Sequence, residues 1–222
     1  MRRVSFFLLF IFSLTSCNQS GFTIEGTVSH PLFEEGTVYL VALDGPISKQ
    51  VDSTRVKEGK FSFRLKADSM EVRILRMAPK YPETVQDLVV VAEKGELRAE
   101  LGKISKGEGT SLNDKLQQWK NRKDLYDSTL WNLYNLRDVE LSSEKQQDSL
   151  RALSDSIYKE FLDGNIKFMH ENLFNGIGLF VFKLYFHSLT AEEKNDVVGK
   201  TGNLYFEHDA ELKQRVQAAS NP

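Results

Sequence analysis

The chain changes its periodicity once, near residue 110, and that change limits its fold more than any motif it contains. Ahead of the change, apolar and polar side chains alternate. Phe61, Phe63 and Leu65 take turns with Ser62, Arg64 and Lys66; Phe22, Ile24 and Val28 alternate likewise, as do Leu97, Ala99 and Leu101. A period of two puts such residues on one face of a strand. Val38 to Leu43 and Leu88 to Ala92 are continuous apolar runs, expected as more central strands. Glu58-Gly59 and Lys94-Gly95 read as tight hairpin turns, and Asp44-Gly45-Pro46 as a turn or loop. About seven short strands between residues 21 and 104 predict a small antiparallel sandwich or partly open barrel.

Behind the change the period is helical. The prolines are Pro31, Pro46, Pro79, Pro82 and Pro222, so none interrupts the chain between Pro82 and its last residue. Leu112, Trp119, Tyr126 and Leu133 recur every seventh position, with Leu116 and Leu130 between them, an apolar stripe on a long helix. Lys123 breaks the stripe, which predicts a helix packed in a hairpin rather than a sustained coiled coil. Leu150, Leu153, Ile157 and Phe161 mark one face of a second helix. Ser143-x-x-Gln146 and Thr190-x-x-Glu193 have the form of capping boxes. Ile177 to Phe186 is apolar enough for a buried short helix or a strand, and periodicity does not choose between them. The fold class expected is α+β: a β part followed by a helical segment.

The first residues have the grammar of an export signal. Arg2 and Arg3 precede an apolar run from Phe6 to Phe12, far shorter than the roughly 20 residues a membrane-spanning helix requires. Leu14-Thr15-Ser16-Cys17 follows, and it resembles the lipobox of bacterial lipoproteins. The resemblance implies diacylglycerol on the Cys17 sulfur, cleavage after Ser16 and a membrane as partner. Cys17 is the single cysteine, and lipidation accounts for a lone thiol in an exported chain. Asn18-Gln19-Ser20-Gly21 lacks the acidic tract that resembles a surface-export signal, and Asn18 is not the aspartate associated with inner-membrane retention, so the periplasmic face of the outer membrane is expected. The plan expected is a signal peptide over 1–16, a lipidated tether over 17–21, a β domain over 22–108 and a helical segment over 109–222.

Composition excludes several classes of function. A net charge of −2 supplies no electrostatic footprint for nucleic acid, and 41% apolar residues suit a packed core rather than disorder. His30, His170, His187 and His208 are dispersed, with no second histidine at metal-ligand spacing. Gly102-x-x-x-x-Gly107 has the glycines of a phosphate loop, but Glu108 stands where lysine is required, so a connector between the halves is expected. Ser53 beside Asp52 has no glycine elbow, so no nucleophile is expected there. No catalytic residue, metal ligand or cofactor site is expected. Trp119, Tyr126, Trp131 and Tyr134 share one helix; Trp131 lies off the stripe and is the residue singled out for ligand or partner contact. Phe180, Phe182, Tyr185 and Phe186 are expected in the core, and Lys115, Lys120, Arg122 and Lys123 on a solvated helix face.

Three segments together resemble one family. Phe22-Thr23-Ile24-Glu25-Gly26-Thr27-Val28 opens it, followed by Val38-Tyr39-Leu40. Val51-Asp52-Ser53-Thr54 then leads to Gly59-Lys60-Phe61-Ser62-Phe63, with Glu58 where the pattern has aspartate. Val89-Val90-Val91-Ala92-Glu93-Lys94-Gly95 leads through Gly109-Thr110 to Asn113-Asp114. These resemble the domain-of-unknown-function 4369 family, found ahead of thioredoxin-like domains in exported thiol–disulfide proteins of Bacteroidetes-type bacteria. The likeness covers residues 21 to about 119; the helical remainder, with Asn175-Gly176-x-Gly178, is similar but less specific. The chain has no Cys-x-x-Cys, and thiol exchange needs a thiolate and a resolving cysteine. The expectation is therefore a non-enzymatic binding or scaffold module lacking the thioredoxin domain. The alternatives are an accessory subunit whose partner is a separate thioredoxin-like chain, and a glycan- or peptide-binding surface lipoprotein.

Overall fold

The computed structural model describes residues 21–43, 45–67, 71–140 and 144–201, with Leu212 and Gln214. Eight strands come first: β1 (Gly21–Val28), β2 (Thr37–Ala42), β3 (Asp52–Arg55), β4 (Lys60–Lys66), β5 (Val72–Met77), β6 (Leu88–Val91), β7 (Gly95–Leu101) and β8 (Lys106–Glu108). Four α-helices follow: α1 (Ser111–Glu140), α2 (Glu144–Glu171), α3 (Gly176–Tyr185) and α4 (Ala191–Thr201). The strands form two four-stranded sheets, ordered β4-β1-β7-β8 and β3-β2-β5-β6. The class is α+β as expected, with eight strands where about seven were counted. β8 escaped the count because Lys106-Gly107-Glu108 offers no apolar residue, and it occupies part of the expected connector.

The alternating residues of both sheets point at one another. Phe22, Ile24, Phe61, Phe63, Leu97 and Leu101 from one sheet meet Val38, Leu40, Leu75, Met77, Leu88 and Val90 from the other in one buried cluster. Gly26 sits opposite Phe61 across β1 and β4, and a Cβ on it would lie 2.1 Å from the Phe61 ring. The glycine is what lets that ring lie flat over its neighbour strand.

Both expected hairpins are corrected. Glu58 and Gly59 do form a tight turn, with φ of 53° and 69°, the left-handed pair a type I′ turn demands. Its ladder stops after the Lys57–Lys60 bridge; β3 then pairs with β2 and β4 with β1. The turn is a corner between sheets. Lys94-Gly95 likewise carries the chain from β6 in one sheet to β7 in the other, where β7 runs parallel to β1, the one departure from antiparallel pairing. Local turn chemistry specifies the reversal but not the partner strand. Asp44 of the expected Asp44-Gly45-Pro46 turn lies outside the described residues; Gly45 N–H donates to the Ala42 carbonyl at 2.9 Å.

The continuous run at Leu88–Ala92 has a different cause from the one expected. β6 is not central but the edge of its sheet. It is apolar on both sides because Leu88 and Val90 enter the sandwich core while Val89 and Val91 enter a second core built by the helices. That second core takes Leu116 and Trp119 from α1, Phe168 and Met169 from α2, and Ile177, Val181 and Phe182 from α3. The ambiguous segment from Ile177 is thus helix, opened by the Asn175 side chain accepting from Ile177 N–H at 3.1 Å. The Thr190 capping box is present: Glu193 N–H donates to Thr190 Oγ1 and Thr190 N–H to the Glu193 carboxylate. Ser143 of the other box lies outside the described residues.

Candidate functional site

α1 is fastened to the sandwich by side chains that imitate a strand. Asn113, 2% exposed, accepts from Val91 N–H at 2.8 Å and donates to the Val91 carbonyl at 2.9 Å and to Thr110 Oγ1 at 2.7 Å. Gln117 accepts from Gly107 N–H on β8. The first turn of α1 receives the Glu93 carboxylate, which accepts from Leu112 and Asn113 N–H, a negative group at the positive end of a helix. The edge strands β6 and β8 therefore have backbone groups covered by one helix.

Aromatic rings continue the attachment outward. Trp119 lies against Phe168 and Phe180, with centroids 6.3 and 5.6 Å away, and its indole N–H donates to Asn165 Oδ1 at 2.9 Å. Two turns on, Tyr126 stacks on Phe161 at 3.9 Å, and Phe161 meets Tyr185 edge-on. Burial, with help from the nearby Asp127 charge, pushes the Tyr185 phenol up to about 12. Burial raises Tyr126 as well. Trp119 and Tyr126 thus pack inward as the heptad stripe requires.

Past that layer the described residues of the α1–α2 hairpin form no fully buried cluster. No described residue of α1 beyond Trp119 is fully buried, and in α2 burial is confined to Asn165, Phe168 and Met169. Trp131 is 64% exposed and Tyr134 50%. Their rings stack at 6.4 Å with 17° between planes, one platform on one flank of α1. Leu125 and Leu136, also exposed, lie eleven residues apart, about 20° around the helix, and form a second stripe on the opposite flank. Leu153 and Tyr158 add exposed apolar surface on α2. Leu153 is a correction, since its spacing with Leu150, Ile157 and Phe161 assigned it to the packed face. Leu125 and Leu136 were missed; their own spacing, read at 100° per residue, would have found them.

The remaining candidates take structural positions. Lys120 pairs with Asp124 and Lys123 with Asp127, so half of the basic cluster is neutralised along its own helix. Arg122 lies 5.8 Å over the Phe168 ring, beside a cleft of about 430 Å³ that Lys115, Gln118 and Glu171 also line. His30 Nδ1 accepts from Leu32 N–H, and His170 sits 3.2 Å from Asp196. His208 lies outside the described residues, as does Cys17. Among the described residues no group of His, Cys, Asp and Glu has the makings of a metal site. Asp52 and Ser53 are exposed on β3, an edge strand, where Ser53 N–H donates to the Asp52 carboxylate. Phe182 and Phe186 are buried, and Phe180 and Tyr185 partly so.

No curated protein sequence and no solved structure matches the chain. A family model described as "Domain of unknown function (DUF4369)" matches residues 22–116. The matched segment spans all eight strands and the opening turns of α1, and it includes the Glu93, Thr110 and Asn113 bracket. Over residues 22–116, somewhat under half of its length, the chain is thus similar to the DUF4369 domain family.

Proposed function

We propose that this is a cell-envelope lipoprotein, held to a membrane through Cys17, in which the sandwich serves as a mount and the α1–α2 hairpin as a non-enzymatic binding surface. One observation carries the reading: the Trp131–Tyr134 platform is solvent-exposed on a hairpin in which no described residue beyond its base is fully buried. Exposed, rigid aromatics of this kind supply large contact area at low entropic cost, and they are enriched at interfaces. Leu14-Thr15-Ser16-Cys17 supports the tether. Among the described residues no helix is long and apolar enough to cross a membrane. A second reading rests on the resemblance to domains found ahead of thioredoxin-like domains: the surface would receive a separate thioredoxin-like chain.

The test places a photo-crosslinking amino acid at position 131 in the full chain within native membranes, with Cys17→Ser as the untethered control. The reading expects one defined crosslinked species, lost when Tyr134 is also replaced by serine, and loss of membrane association in the control. A thioredoxin-like species selects the second reading. No crosslink at 131 together with unchanged fractionation of Cys17→Ser would remove both halves of the proposal.

A further inference from the structure

The sandwich leaves the β4 sheet edge without a strand partner on its outer side among the described residues. β4 ends the order β4-β1-β7-β8, and the direction of its backbone groups follows from two sets of hydrogen bonds. Val28 N–H donates to the Gly59 carbonyl at 2.9 Å, so alternate residues Phe61, Phe63 and Leu65 exchange ladder bonds with β1. Lys60 bonds reciprocally with Lys57 on the other side. Ser62, Arg64 and Lys66 therefore direct their N–H and C=O groups away from the sheet, and none of the six has a backbone partner among the described residues. The side chains of these same residues are exposed, while Phe63 is buried and Leu65 packs against the core.

The charges on β4 itself are all cationic, with Glu58 in the turn ahead of it and Glu25 on the neighbouring strand. Lys57, Lys60, Arg64 and Lys66 are exposed and unpaired among the described residues, and Arg55 reaches only a loose 3.9 Å contact with Glu35. A concavity of about 510 Å³ opens where β3 turns into β4; it is lined by Thr54, Arg55, Lys57, Lys60 and Ser62, with Glu25 its single carboxylate. Lysines on an edge strand do guard against indiscriminate pairing. A guard made only of cations still admits a strand of opposite charge, and three free donor–acceptor pairs two residues apart are what an extended chain needs. A bilayer would answer the charge but has no use for the ladder groups.

We infer that the β4 edge binds an extended acidic peptide segment by strand addition, its backbone on Ser62, Arg64 and Lys66 and its carboxylates on the flanking cations. The probe is a synthetic peptide of about ten residues alternating glutamate with threonine, titrated into the full chain. The companion probes are the same peptide with glutamine for glutamate, and one N-methylated at the alternate residues that would face β4. Anionic phosphatidylglycerol vesicles form a separate arm. Binding of the acidic peptide is expected to weaken roughly tenfold or more with the glutamine peptide, with the N-methylated peptide, and with Arg64→Glu/Lys66→Glu. The peptide should also slow amide exchange at Ser62, Arg64 and Lys66. Equal binding of the N-methylated peptide would overturn strand addition. Binding to vesicles while the peptide stays inert would overturn it too, and assign the cations to a lipid surface. The two peptide-side controls need no variant to fold, and neither touches Trp131, so this result and that of the hairpin are independent.

Discussion

Asn113 shows how one side chain can join two architectures. Its amide meets both backbone groups of Val91 at the edge of β6 and also reaches Thr110, in a place closed to water. Asn113→Ala leaves the Val91 N–H and carbonyl buried without partners, and each such group costs about 1–3 kcal/mol. The variant should lose about 2–4 kcal/mol, read as a lower urea midpoint at unchanged slope. Gln118→Ala, one turn on and exposed, should stay within about 0.5 kcal/mol of the parent. Equal midpoints for the two would mean that the Asn113 bonds do not hold the helix to the sheet. The Gly109-Thr110…Asn113-Asp114 pattern was legible in the sequence as a family signature. Its physical reason was not, because the group it satisfies lies 22 residues away.

Elements were legible wherever a period ran long enough, and their partners were not. The alternation at Phe61–Lys66 and the heptads from Leu112 located β4 and α1, since inward-facing positions repeat with the backbone's own geometry. Leu88–Ala92 suggested a central strand, yet an edge covered by helices yields the same residues. Trp131 is exposed, as its place off the stripe implies; Leu153 was misplaced because it sits on the stripe's margin. The layer where α1, α2 and α3 meet, Tyr126 on Phe161 on Tyr185, makes a pH prediction at this scale. The Tyr185 phenol is raised from 10 to about 12 in the folded chain. The folded form therefore holds this proton more tightly than the unfolded form, so its contribution is complete below pH 10 and is lost as pH rises to about 12. With allowance for partial solvent screening, the loss is about 1–2 kcal/mol. Urea midpoints between pH 9 and 12 should fall, and the fall should be smaller in Tyr185→Phe. Parallel curves for the two proteins would place the alkaline loss in other groups.

At the scale of the whole molecule, the sandwich and the helices share a wall. Val89 and Val91 of β6 and Val72 of β5 face away from the sandwich core and pack among Leu116, Trp119, Ile177 and Val181. A boundary drawn at residue 108 separates the two periodicities but cuts through this second core. A fragment of residues 21–109 would expose those valines, at roughly 1.5–3 kcal/mol for each large apolar side chain returned to water, and would also strip Asn113 from the β6 edge. Small domains have a net stability of about 5–15 kcal/mol, so little would remain. The full chain should therefore unfold in one transition, with tryptophan fluorescence from the helices coinciding with far-ultraviolet circular dichroism. The fragment should fail to melt cooperatively or should aggregate through its exposed edge. If the fragment instead melts cooperatively near the temperature of the full chain, the helices are an appendage, and the family's 22–116 match would overrun a body already complete at β8. If the single transition holds, the base of the hairpin is as rigid as the sandwich. Trp131 and Tyr134 would then be presented to solvent from a fixed mount, which is the condition a binding surface requires.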